Sequence, residues 1–121
     1  MSEYFIKAIL LDNCSYSIAA HELLNQHNIT NEIVNITSKD MNIYSNNMIS
    51  TYPQLYLKKY NTNGNLLLGG YEDLKNSIDM FKGMKLSDEN INKFMNKYKW
   101  SKKATLRFIQ LITPPAKRVF H

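Results

Sequence analysis

Cysteine is almost missing: Cys14 is the only one in 121 residues. One thiol forms no intramolecular disulfide, which excludes a disulfide-stapled scaffold and fits a reducing compartment. Long apolar runs are missing too. The runs "AILL" at 8–11 and "LLL" at 66–68 fall far short of the roughly 20 residues a membrane-spanning helix needs, and Lys7 interrupts the first strand-like stretch. The opening "MSEYFIKAILLDNCS" lacks a basic region followed by a small-residue cleavage site, so no secretory leader is expected. No internal repeat or second domain is visible. Fifteen Asn, with many Lys, Ile and Tyr, make a bias that an AT-rich genome, such as that of a large DNA virus or a protist, can produce. A cytoplasmic protein is expected, in the host cytoplasm if the source is viral.

Acid is missing from the end of the chain. Residues 1–98 hold nine Lys against ten Asp or Glu, whereas residues 99–121 hold Lys99, Lys102, Lys103, Arg107, Lys117 and Arg118 with no acid. The net charge of +5 is therefore carried by the tail. We expect a domain over 1–100 and a basic extension over 101–121.

What is present alternates between strand and helix patterns. Tyr4 to Leu11 is almost continuously apolar, as in a strand covered on both faces. Ser15 to about His27 reads as a helix, with Ala19, Ala20, Leu23 and Leu24 on one face. "EIVNI" at 32–36 is a second strand, parallel to the first. Thr37 or Ser38 can cap a second helix in which Met41, Tyr44 and Met48 recur at helical spacing. "TYPQLYLKKY" and "NLLLGG" flank "NTNG", a turn composition that favours positive φ, and should form an antiparallel hairpin. Leu74, Ile78 and Phe81 mark a third helix closing near Gly83. Ser87 caps a fourth that carries Ile91, Phe94, Met95 and Tyr98, with Asp88 and Glu89 well placed against its dipole. The expected order is βαβαββαα.

Cys14 occupies the first strand-to-helix junction. A thiol is nucleophilic only as thiolate, and unpaired amides at a helix N-terminus favour that form. Ser17, three residues on, places a hydroxyl where it can donate to the sulfur. A lone cysteine reads equally well as a buried structural one. Pro53, at the start of a strand, reads alone as an ordinary entry proline. Gly69-Gly70-Tyr71-Glu72-Asp73-Leu74 reads alone as a turn before a capped helix.

Taken in order, Cys14-Ser15-Tyr16-Ser17, Thr51-Tyr52-Pro53 and Gly69-Gly70-Tyr71-Glu72-Asp73-Leu74 resemble the glutaredoxins over about residues 4–98. The resemblance implies a thioredoxin-like α/β fold with a four-stranded mixed sheet flanked by helices. It implies a glutathione-dependent thiol-disulfide oxidoreductase with glutathione as co-substrate. Glutathionylated proteins or small-molecule disulfides would be the partners. Cys14 would be the nucleophile and Ser17 its tuning partner, beside Tyr16 and a cis Pro53. Thr51 and Tyr52 would meet glutathione along an extended backbone. Gly70, Tyr71, Glu72 and Asp73 would receive its γ-glutamyl carboxylate at a helix start.

The departures from that pattern shape the expectation. Ser17 replaces the second cysteine, leaving only a monothiol route. Leu11 stands where many family members carry a lysine, with Lys58 or Lys59 as substitute cations or simply strand-edge residues. Two other readings stay open. One is a non-catalytic binding module of the same fold. The other is a [2Fe–2S] carrier, in which Cys14 of two subunits and two glutathiones would supply the ligands. His21, His27 and His121 form no metal pattern with Cys14. In the tail, Leu106, Ile109 and Ile112 suggest an amphipathic helix stopped by Pro114-Pro115. It either packs back on the domain or meets an acidic partner, a membrane surface or nucleic acid, and nothing in it reads bases.

Overall fold

The computed structural model describes residues 3–81 and 87–113. Four strands, β1 (Tyr4–Leu11), β2 (Asn31–Ile36), β3 (Gln54–Lys59) and β4 (Asn65–Gly69), form one sheet in the order β2-β1-β3-β4. β1 runs parallel to β2 and antiparallel to β3, and β3 runs antiparallel to β4. The helices are α1 (Ser15–Gln26), α2 (Met41–Tyr44, after a 3₁₀ turn at Ser38–Asp40), α3 (Tyr71–Met80), α4 (Asp88–Tyr98) and α5 (Lys102–Ile112). This is an α/β fold with a mixed sheet, in the expected order through α4.

Alternation along the central strands divides the apolar residues between two layers. Ile6, Ala8 and Leu10 of β1 and Leu55 and Leu57 of β3 join the main core, with Leu24 of α1 and Leu74 and Ile78 of α3. On the other face Ile9, Ile36 and Tyr52 form a smaller cluster, with Met41 and Tyr44 of α2 packed against it. β1 is thus covered on both sides, as its continuous apolar run requires.

One element differs from expectation. The second helix stops at Tyr44, and Met48 is 78% exposed instead of continuing its apolar face. The cause is local: the Asn46 side-chain carbonyl accepts from the amides of Met48 (2.8 Å) and Ile49 (3.1 Å), so the chain turns instead of winding on. In α5, Ala104, Thr105, Phe108, Ile109, Leu111 and Ile112 are buried, and all but Thr105 belong to the main core beside Phe94 and Trp100. The amphipathic helix read in the tail therefore packs back on the sheet's main layer and leaves Lys102, Lys103 and Arg107 along its outer side. The hairpin and the Ser87 cap follow the sequence closely, whereas Thr37 and Ser38 make no cap for α2, which starts at Met41 after a 3₁₀ turn whose N-terminal Thr37 side chain makes no cap bond. Asn61 in the β3–β4 turn has φ of 62°, and Ser87 accepts from the Asn90 amide at 3.1 Å. The expected stops at Gly83 and at Pro114-Pro115 lie outside the described residues, as does His121.

Candidate functional site

Strand directions bring the three motifs to one edge of the sheet. Ile9, near the end of β1, pairs with Gln54 at the start of β3, and Leu55 pairs with Gly69 at the end of β4. The β1–α1 turn, the entry to β3 and the β4–α3 turn therefore emerge side by side. The same registers put Lys58 opposite Phe5 and Lys59 opposite Tyr4, at the other edge. Lys58 lies five residue steps along the strand from Pro53, about 17 Å. Neither lysine reaches the Cys14 edge, and Lys59 instead pairs with Glu3 at 3.6 Å.

Cys14 is the N-cap of α1 and is partly accessible. Asn13, with φ of 61°, makes the tight turn out of β1. The thiol donates to the Tyr52 carbonyl at 3.9 Å, across 38 residues of sequence. Ser17 is buried, and its hydroxyl oxygen accepts from the Leu11 amide at 3.0 Å. That bond leaves the hydroxyl proton free to face the sulfur. Burial works against ionisation of the thiol, but the Ser17 hydroxyl and the amides of Ser17 and Tyr16 outweigh it. The thiol is consequently more acidic than an ordinary one.

The β3 entry is held from below. The Tyr52–Pro53 peptide is cis. The Tyr52 hydroxyl donates to the Met41 carbonyl at 2.7 Å, and the Gln54 amide donates to the Tyr44 carbonyl at 3.1 Å. Gln54 in turn accepts from the Tyr56 hydroxyl at 3.1 Å. With the Tyr52 and Gln54 side chains tied to α2, the Tyr52 carbonyl faces Cys14. Thr51 is exposed beside this loop.

The third motif closes the group. A Cβ built on Gly70 would stand 3.6 Å from the Pro53 carbonyl, so the β4–α3 turn lies directly against the proline loop. Tyr16, 59% exposed, lies with its ring centroid 6.2 Å from that of Tyr71, linking the starts of α1 and α3. Glu72 is exposed, while the half-buried Asp73 carboxylate is taken up by partners within the chain. One oxygen accepts from the Gly70 amide at 3.0 Å and the other from the Tyr98 hydroxyl at 2.7 Å. Burial, the hydrogen bond and the negative charge of Asp73 push ionisation of Tyr98 well above the ordinary tyrosine range, so the phenol remains a donor.

Cys14, Tyr16, Ser17, Tyr52, Pro53, Gly70 and Tyr71 thus form one cluster, in which Ser17, Tyr52 and Pro53 are buried, flanked by Thr51 and Glu72. Tyr98 was not singled out from sequence as part of it. Residing on α4 among Phe94 and Met95, it reads as a helix-packing aromatic, and its bond to Asp73 spans 25 residues. Among the described residues no group of three His, Cys, Asp or Glu side chains could hold a metal ion, and no helix is long and apolar enough to cross a membrane. No protein-family model matches the sequence, and no curated protein matches it either.

Proposed function

We propose that the protein is a glutaredoxin-like thiol-disulfide oxidoreductase of thioredoxin-like fold that acts on glutathione mixed disulfides through Cys14 alone. The observation that carries this reading is the meeting of a helix-capping thiol, made more acidic by Ser17, with the Tyr52 carbonyl at the entry to β3, against which the β4–α3 turn rests. An extended backbone beside a thiolate suits the cysteinyl part of glutathione. The first-turn amides of α3, which have no acceptor within their own helix, suit its γ-glutamyl carboxylate.

The chemistry needs one protein thiol. The Cys14 thiolate attacks the glutathione sulfur of a mixed disulfide, forming a Cys14–glutathione disulfide and releasing the substrate as thiolate, which takes a proton from water. The thiolate of a second glutathione then attacks the glutathione sulfur on Cys14. Cys14 leaves as thiolate, the substrate thiol has been freed, and the glutathione taken from the mixed disulfide departs paired with the second one, the only thiol oxidised in the cycle. Ser17 stabilises the thiolate at both ends of the cycle.

The test is intact mass after incubation with oxidised glutathione, followed by turnover of a glutathionylated peptide with reduced glutathione. One glutathione adduct on the wild type, none on Cys14→Ser, and turnover only in the wild type are expected. Turnover undiminished in Cys14→Ser would overturn the mechanism, because no other thiol exists in the chain. One observation favours a second reading: Leu11 supplies no cation and Lys58 and Lys59 lie at the far edge of the sheet. A protein that forms no adduct would instead be a binding module of the same fold.

A further inference from the structure

Tyr98 stands on α4, a helix that supplies no other side chain to the candidate site, yet its hydroxyl closes a chain of contacts that ends beside Cys14. The Tyr98 hydroxyl donates to one oxygen of Asp73, whose other oxygen accepts from the Gly70 amide. The carboxylate lies so close to Gly69, where φ is 130°, that a Cβ there would collide with it. On its other side, Gly70 rests against the Pro53 carbonyl, and Pro53 follows the carbonyl that faces the thiol. The Gly69-Gly70 turn is thus held between the proline loop and a carboxylate that Tyr98 keeps in place. The Tyr98 ring is itself fixed, its centroid 4.5 Å from that of Phe94 in the main core.

We propose that Tyr98 is a positioning residue for ligand binding: by holding the Asp73 carboxylate on Gly70, it sets the spacing between the first-turn amides of α3 and Cys14 and turns a negative charge away from an incoming carboxylate. The part concerning ligand rests on the glutaredoxin-like reading above. Were the phenol absent, one Asp73 oxygen would lose its partner and the carboxylate would be free to swing toward the α3 amides. There it would compete with a γ-glutamyl carboxylate. The sulfur chemistry itself lies on the other side of Pro53 and does not involve Tyr98.

Tyr98→Phe tests this with little disturbance, because the ring and its packing remain. With a glutathionylated peptide and reduced glutathione, KM for glutathione should rise about five- to tenfold while kcat stays within about twofold, the signature of lost binding and not of lost chemistry. The Cys14 alkylation profile against pH should not move. Because the two residues act as one unit, adding Tyr98→Phe to Asp73→Ala should cost little beyond Asp73→Ala alone. Amide hydrogen exchange supplies a readout independent of activity: the Gly70 amide should exchange faster in Tyr98→Phe while core amides keep their protection. Equal losses in kcat and kcat/KM, or an unchanged KM, would overturn the proposal. If the wild type neither takes up glutathione nor turns over substrate, the oxidoreductase reading falls and the ligand part falls with it. Gly70 exchange then decides the remainder, and an unchanged rate would remove Tyr98 from the turn as well.

Discussion

At the scale of single residues, Cys14 and Ser17 form one unit, a thiol with a hydroxyl beside it. Ser17 is fully buried and spends its lone pair on the Leu11 amide, so it ties the end of β1 to the first turn of α1 while its proton remains available to the sulfur. It cannot form a disulfide, and its influence is electrostatic. The thiol should therefore titrate below the ordinary value of a free cysteine. Ionisation makes the nucleophile, so alkylation by iodoacetamide should accelerate as pH rises and reach half its maximum below that value. Ser17→Ala removes the largest of the contributions favouring the thiolate and should move that midpoint upward, slowing alkylation at neutral pH while leaving its high-pH plateau unchanged. A wild-type midpoint at or above the free-thiol value would remove the activation argument. A midpoint that ignores Ser17→Ala would assign activation to the α1 amides alone.

At the scale of elements, much of the architecture was legible because local chemistry and packing agree. The continuous apolar run of β1, the positive-φ turn of the hairpin and the Ser87 cap each appear where the residue types require them. The parts that were not legible depend on a competitor or a distant partner. Met41, Tyr44 and Met48 have helical spacing, and the first two do face the smaller cluster, but one Asn46 side chain captures the next amides and stops α2. The three motifs of the candidate site could be named from their order, whereas the tie from Tyr98 to Asp73 leaves no periodic trace. The two glycines before α3 show the same division between type and context. Gly69 has a left-handed φ of 130° and a carboxylate where its Cβ would be, while Gly70 has a φ of −102° and ordinary room against Pro53. Gly69→Ala should accordingly cost about 1–3 kcal/mol and lower the thermal midpoint clearly, because both backbone and Asp73 must shift. Gly70→Ala should leave the midpoint nearly unchanged. Parallel thermal melts decide it, and equal effects of the two substitutions would show that the turn is not held as described.

At the scale of the whole molecule, the charge asymmetry of the chain conceals where its packing ends. A break in composition at residue 99 suggests an appended basic segment, but α5 sets its apolar side into the main core and exposes only its cationic side. Phe108 is fully buried, with its ring centroid 5.5 Å from Phe94 and 5.4 Å from Trp100. With Ile109, Leu111 and Ile112 also buried, little of the helix's apolar surface is left to enter a membrane. The two sides should respond oppositely to substitution. Phe108→Ala leaves a cavity beneath two aromatic rings and should cost about 3–5 kcal/mol. That is a large share of the roughly 5–15 kcal/mol that holds a domain of this size together. A chain cut after Trp100 loses four such buried apolar side chains at once and should show no cooperative unfolding transition. Lys102 and Lys103, by contrast, sit in the first turn of α5, where the helix dipole opposes positive charge. Replacing both with Glu should therefore raise stability slightly, by about 0.3–1 kcal/mol per position at low salt, with the gain shrinking as salt is added. Thermal melts of the full chain, each variant at two ionic strengths, separate the two effects. A cooperative, stable fragment ending at residue 100 would make α5 an appendage after all, and a tolerated Phe108→Ala would say the same of its packing.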